Sequence, residues 1–261
     1  MGPSFEMLAQ LPSRKDNKFL PPLPSYEQGF EPRCTPGLRM PYTEFVGDLN
    51  KSPSDSRDYR LIRLPNGLVA MVVHSPDESK ACAAMDVNVG SLADPPEFQG
   101  LAHFCEHLLF MVSYTWLFSS TPFLRTFTVA QSDTDRQKPK TVAAIKKYPK
   151  ENEYNEYLSG HGGYANAYTD LEDTCYYFEL TYDALEGALD RFSQFFINPL
   201  FTADCTDREV RAVDSEHKKN IQSDMWRQYQ LEKELSSPQH PFSMFATGNY
   251  DTLAGAARRL G

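Results

Sequence analysis

Short runs rich in apolar residues give the first order in this chain, one from Tyr59 to Leu64 and another from Leu68 to His74. Asn66-Gly67 joins the two runs, and this pair accepts the left-handed backbone of a tight turn, so a hairpin is predicted. Ala83 to Val89 alternates between apolar and polar positions and reads as a third strand. Tyr164 to Thr169 and Thr174 to Thr181 are predicted strands as well. A short helix over Asn152 to Leu158 precedes them, stopped by Gly160 and the Gly162-Gly163 pair. From Asp183 to Phe196 the period lengthens: Leu185, Leu189, Phe192 and Phe196 fall on one helical face. That helix would open on an Asp cap and end before Pro199. Asp204 to Leu235 is a run of helix formers beginning with acidic residues, and predicts one long helix. A further helix over about Gly100 to Phe110 follows the third strand. Together these elements imply an α+β fold, a mostly antiparallel sheet with helices packed on one face.

Three stretches stand outside this pattern. Residues 1–48 are rich in Pro, Ser and charge, as in Leu20-Pro-Pro-Leu-Pro-Ser25, and read as a flexible leader. Residues 49–253 form the expected folded unit, and 254–261 a cut-short tail. Val112 to Ile145 interrupts the unit, mixing Phe118, Phe123 and Phe127 with Ser, Thr and basic residues without a period. Loops beyond about 12–15 residues are uncommon inside compact domains. The stretch reads as translated intron sequence opening at Val112-Ser113, or else as a surface loop or lid. Sequencing the transcript separates the two.

The chain has 261 residues, enough for one large domain or two small ones, and an ordinary 41% apolar content. A net charge of −9 argues against a nucleic-acid-binding surface. Five cysteines without paired spacing suit a reducing compartment. No run is apolar enough to span a membrane, and Met1 to Leu20 lacks a signal-peptide core. The expected location is the cytoplasm.

The chemistry concentrates in His103-Phe104-Cys105-Glu106-His107, an H-x-x-E-H pattern. On a helix the two His lie about 40° and one turn apart, so both imidazoles reach one ion. Glu106 falls about 60° to the other side of His103, near the metal but off the ligand pair. Cys105 sits at about 200°, on the far face, and is not counted as a ligand. The surrounding Leu101, Ala102, Phe104, Leu108 and Leu109 form an apolar wall in which polar groups need partners. Two nitrogens and one carboxylate around zinc leave a fourth position for water, whose proton a neighbouring carboxylate can take. Glu106 is assigned that general-base role. The third ligand must come from downstream. Glu209 and Glu216 are two turns apart on the predicted long helix and share a face within about 20°. One should ligate and the other orient a ligand or the water. His161 reads as a loop residue, and His217 as a surface or supporting one.

Beyond the motif, the chain resembles the pitrilysin–insulysin family of zinc metallopeptidases. The matching stretches are Tyr59-Arg60, Leu64 to Leu68, Gly90-Ser91 with Asp94-Pro95, Gly100 to Phe110 and Lys147 to Tyr154. They continue with Gly162-Gly163, Asn166 to Thr169, Glu186 to Phe192, Asp207 to Val210, Ala212 to His217 and His240 to Phe242. The resemblance covers roughly Leu49 to Leu253. It implies one Zn²⁺ per chain held by His103, His107 and Glu216, with Glu106 as base and Glu209 assisting. It implies that Asn166 and Ala167 pair with an extended substrate backbone. Short or unfolded peptides are the implied substrates. The implied partner is the C-terminal half of the same polypeptide, with homo-oligomerisation a further option. The isolated chain is expected to bind zinc and cleave poorly, and the rival reading is a non-catalytic zinc-binding or assembly module.

Overall fold

The computed structural model of the chain describes residues 29–33, 41–111, 124–130, 148, 153–197, 199 and 203–255. Its frame is set by strands whose side chains alternate between core and solvent. In β5 (Lys80–Val87), Ala81, Ala83 and Met85 are buried while Lys80 and Cys82 are exposed. In β8 (Thr174–Thr181), Thr174, Tyr176, Phe178 and Leu180 are buried on the same side, because Ala83 pairs with Phe178 and Ala81 with Leu180.

Among the described residues, eight strands form one sheet. They are β1 (Phe30–Arg33), β2 (Tyr42–Phe45), β3 (Asp58–Arg63), β4 (Val69–His74), β5, β6 (Leu124–Ala130), β7 (Tyr164–Thr169) and β8, in the order β1-β2-β3-β4-β6-β5-β8-β7. All neighbours run antiparallel except β4 and β6. The β3–β4 hairpin turns at Asn66-Gly67: Gly67 has φ of 88° and Asn66 Oδ1 accepts from the Leu68 amide. At the far end β7 is an edge strand.

The described residues include five helices, α1 (Leu101–Met111), α2 (Glu153–Gly160), α3 (Leu185–Ile197), α4 (Ala203–Asn220) and α5 (Asp224–Leu235); α1, α2 and α3 lie against the sheet, and α4 packs on α1. Tyr154 and Leu158 of α2 and Leu185, Ala188, Phe192 and Phe195 of α3 bury against the inward residues of β5 and β8. Edge-to-face aromatic pairs give this core its shape, with Phe178–Phe192 centroids at 5.1 Å and Tyr154–Phe195 at 4.9 Å. Truncating a buried Phe of this kind removes about 3–5 kcal/mol. A second cluster joins Phe104 and Leu108 of α1 to Val210 and Val213 of α4 and to Leu253 and Ala254. This second cluster fixes α1 against α4.

Four findings depart from the sequence expectations. β1 and β2 lie within the stretch read as a flexible leader, and join the sheet through β3. β6 lies within 112–145 and fills the gap between β4 and β5; the rest of that stretch lies outside the described residues. The long helix from Asp204 divides into α4 and α5 at residues 221–223, where three successive i→i−3 or i→i−4 backbone bonds close a turn. Finally, α3 opens without the expected Asp cap. Asp183 lies inside a single 3₁₀ turn (Tyr182–Ala184), and the cap position is Thr181, whose side chain makes no capping bond.

Candidate metal centre

The N-terminus of α1 is fixed before any chemistry is added. Asp94 is buried and accepts from the Gly100 and Ala102 amides, each at 2.8 Å, satisfying donors that a helix start leaves free. Gly100 turns at φ of 87° to permit this entry, packed against Gly248.

One turn apart on α1, the His103 and His107 rings stand nearly perpendicular with centroids 4.8 Å apart. Their Nδ1 atoms are both engaged. His103 Nδ1 lies 2.7 Å from the Thr247 carbonyl, and His107 Nδ1 lies 3.1 Å from Glu209 Oε2. A carbonyl and a carboxylate only accept, so each Nδ1 carries the hydrogen, and the neutral form of each ring would turn its Nε2 lone pair the other way. Both Nε2 atoms face Glu216 Oε2, at 3.6 Å from His103 and 3.4 Å from His107. The three ligand atoms all lie within 4.8 Å of one another. Those separations are long for hydrogen bonds. The two His–Glu216 separations match the spacing of about 3.4 Å between ligands that bind zinc tetrahedrally at ~2.0–2.1 Å. The donor set therefore fits a zinc ion.

Glu209 and Glu216 hold His107 from its two nitrogens, and this reverses the usual effect of burial. Burial alone would lower the imidazole pKa, but the two carboxylates outweigh it and raise it to about 9. The His107 ring, 3.4 Å away, in turn lowers Glu216, against the opposing effect of burial. A metal ion binding this trio would compete with a proton.

Glu106 stands beside the trio, and its Oε2 accepts from the Thr169 hydroxyl at 2.5 Å. A cleft of about 610 Å³ is lined by His103, Glu106, His107, Glu209 and Glu216. Asn166 and Ala167 of the edge strand β7 line the same cleft, as do Trp226 and Tyr229 of α5. The structure thus brings His103, His107 and Glu216 together, sets Glu106 and Glu209 next to them, and places Asn166 and Ala167 on the cleft wall. Cys105 is not among the cleft residues. His161 lies beyond α2, bonded to the Tyr157 carbonyl, and His217 packs edge-on against Phe245. Sequence reasoning missed Asp94, Thr169 and Thr247 as supports. Asp94 and Thr169 stood in the stretches that carried the resemblance, but Thr247 contributes a backbone carbonyl, which any residue could supply.

A family model described as Insulinase (Peptidase family M16) matches residues 69–122 and 143–239. The chain belongs to this family. Its match breaks within 112–145, where the sequence pattern also breaks. Insulin-degrading enzyme of Homo sapiens is 45% identical over 235 residues, covering 90% of this chain and 20% of that protein. A Schizosaccharomyces pombe protein whose name carries the words zinc protease is 49% identical over 207 residues, 79% of this chain and 18% of that one. Among solved structures, pitrilysin superposes with a TM-score of 0.63 at 31% identity, covering 90% of this chain and 21% of pitrilysin. The chain spans about one-fifth of the length of these insulinase-family relatives.

Proposed function

We propose that this insulinase-family domain is the metal-bearing module of a zinc metalloendopeptidase, acting on short or unfolded peptides. The convergence of His103, His107 and Glu216, with the Glu106 carboxylate beside them in one cleft, carries the reading. These three residues would hold one Zn²⁺ per chain, which supplies a Lewis acid and makes water easier to deprotonate. The remaining work belongs to the chain's own groups. Thr247 and Glu209 hold each imidazole in the tautomer that offers Nε2. Glu106, with one oxygen engaged by Thr169, takes the proton of the attacking water at the other. Asn166 and Ala167, on an edge strand, can align an extended peptide by strand addition beside the scissile bond.

Peptides are the proposed substrates, and the remainder of a longer polypeptide the proposed partner, because the relatives are about five times as long. We place the protein in the cytoplasm: Cys82, Cys105 and Cys175 are free thiols, and among the described residues no helix is long and apolar enough to cross a membrane.

The test is Glu106→Gln in the full polypeptide, assayed for peptide cleavage and zinc content. Hydrolysis should disappear while about one zinc per chain remains. Surviving hydrolysis removes Glu106 from the role. Stoichiometric zinc without turnover in the unmutated protein favours a non-catalytic zinc-binding or assembly module.

A further inference from the structure

We propose that Thr169 is a positioning residue for Glu106, its hydroxyl fixing which carboxylate oxygen faces the cleft and tying the base to the strand that would carry the peptide; this rests on the function proposed above. A glutamate on a helix face has three rotatable bonds and, left alone, samples several rotamers. Here the Thr169 Oγ1 donates to Glu106 Oε2 at 2.5 Å, the length of a charge-assisted O–H···O⁻ bond. The carboxylate is thereby held by one oxygen and leaves the other for a water.

The donor is itself firmly placed. Thr169 ends β7 and pairs with Thr174 of β8. Its β-branched side chain is stiff about χ1. The buried Thr174 gives its own hydroxyl hydrogen to the Val89 carbonyl at 2.8 Å. Its long contact to Thr169 Oγ1, at 3.4 Å, also runs from Thr174 as donor and so makes no demand on the Thr169 hydrogen. The Thr169 hydrogen is free to go to Glu106. Strand alternation adds the link to substrate. Ala165, Ala167 and Thr169 share the inward side of β7, while Tyr164, Asn166 and Tyr168 face out. A peptide added along Asn166 and Ala167 would rest on the same short strand that steadies the base, so strand addition and base orientation are mechanically joined. Nothing in the H-x-x-E-H spacing demands this hydroxyl. It follows from the docking of α1 against the end of β7.

The experiment compares the full polypeptide with its Thr169→Val and Thr169→Ser variants, using an internally quenched short peptide, metal analysis and crystal structures. Valine keeps the shape and removes the donor; serine keeps the donor. The valine variant should retain about one zinc per chain and a KM within about twofold, while kcat falls roughly 10–100-fold. Serine should restore kcat to within about threefold, and in the valine variant's crystal structure the Glu106 carboxylate should leave its single position. If valine does not fold, Thr169→Ala serves in its place. An undiminished kcat in the variant without the hydroxyl, a serine variant as slow as valine, or an unmoved Glu106 each overturns the proposal. Should the unmutated protein hold zinc yet cleave nothing, the proposed function fails separately, and the position of Glu106 in the valine variant still decides this inference.

Discussion

At the scale of single residues, this site depends on groups that never need to touch a substrate. Glu209 is the clearest. Its carboxylate, 3.1 Å from His107 Nδ1, sets the tautomer and orientation of that ring. Replacing such an outer partner lowers metal affinity by about 10–100-fold in comparable sites. Glu209→Gln keeps an acceptor oxygen but loses the charge, so zinc affinity should fall within that range while the fold persists. Competition against a chromogenic chelator measures it, and unchanged affinity would show that Glu209 does not support the ring. The same scale explains what was readable beforehand. His103, Glu106 and His107 lie within one turn, and Glu209 and Glu216 within two, so helical geometry alone puts them on common faces. Thr247 and Thr169 act across distant segments. Their roles exist only once α1 has docked against β7 and the loop after Pro241 has returned to it.

At the scale of elements, α1 is the piece whose placement matters, and two devices fix its start. Asp94 is the first. Burial pushes its carboxyl up to about 7, overcoming the opposite pull of the Ala102, Gly100 and Leu101 amides and of Lys233. A carboxyl whose pKa rises on folding binds its proton more tightly in the folded chain. Its contribution is complete below the unfolded value near ~4, and is lost as pH rises through about 7. Asp94→Asn cannot titrate. The stability gap between wild type and this variant should therefore move in the variant's favour between about pH 4 and 8, whatever its absolute size. Urea melts across that range check this, and a constant gap refutes it. The second device is Gly100. A Cβ there would stand 2.2 Å from Gly248 Cα, on a backbone at φ of +87°. Gly100→Ala should lose roughly 1–3 kcal/mol from conformation alone. The displaced loop should also draw the Thr247 carbonyl from His103 and weaken zinc binding, as melts and a zinc titration on the same sample would show. The hairpin and the β7–β8 pair were legible because their alternation and turn residues are local signals. The break between α4 and α5 was not, since Ile221 and Gln222 carry no glycine or proline. Only Ser223-Asp224, an N-cap pattern, marked it, and its weight was lost in a continuous run of helix formers.

At the scale of the whole molecule, the proposed ion would join elements that the chain brings together from far apart. His103 and His107 stand on α1, packed under the sheet through Leu109, while Glu216 stands on α4, held by Val210 and Val213. Across this junction the His103 and His107 rings approach Glu216 at 3.6 and 3.4 Å, and His107 bonds Glu209. A zinc ion bonded to both helices binds the folded chain and has no equivalent place in the unfolded one. Binding of that kind stabilises by about 2.7 kcal/mol when free zinc is a hundred times its dissociation constant. For a domain of this size each kcal/mol shifts the melting temperature by about 2–4 °C, so the zinc-loaded protein should melt roughly 5–10 °C above the chelated one. Glu216→Ala removes the α4 end of the bridge and should abolish most of the difference, leaving the chelated melting point near that of wild type. A variant that kept the full zinc-dependent rise would mean that α1 alone holds the ion, and that the approach of α4 serves packing and not the metal.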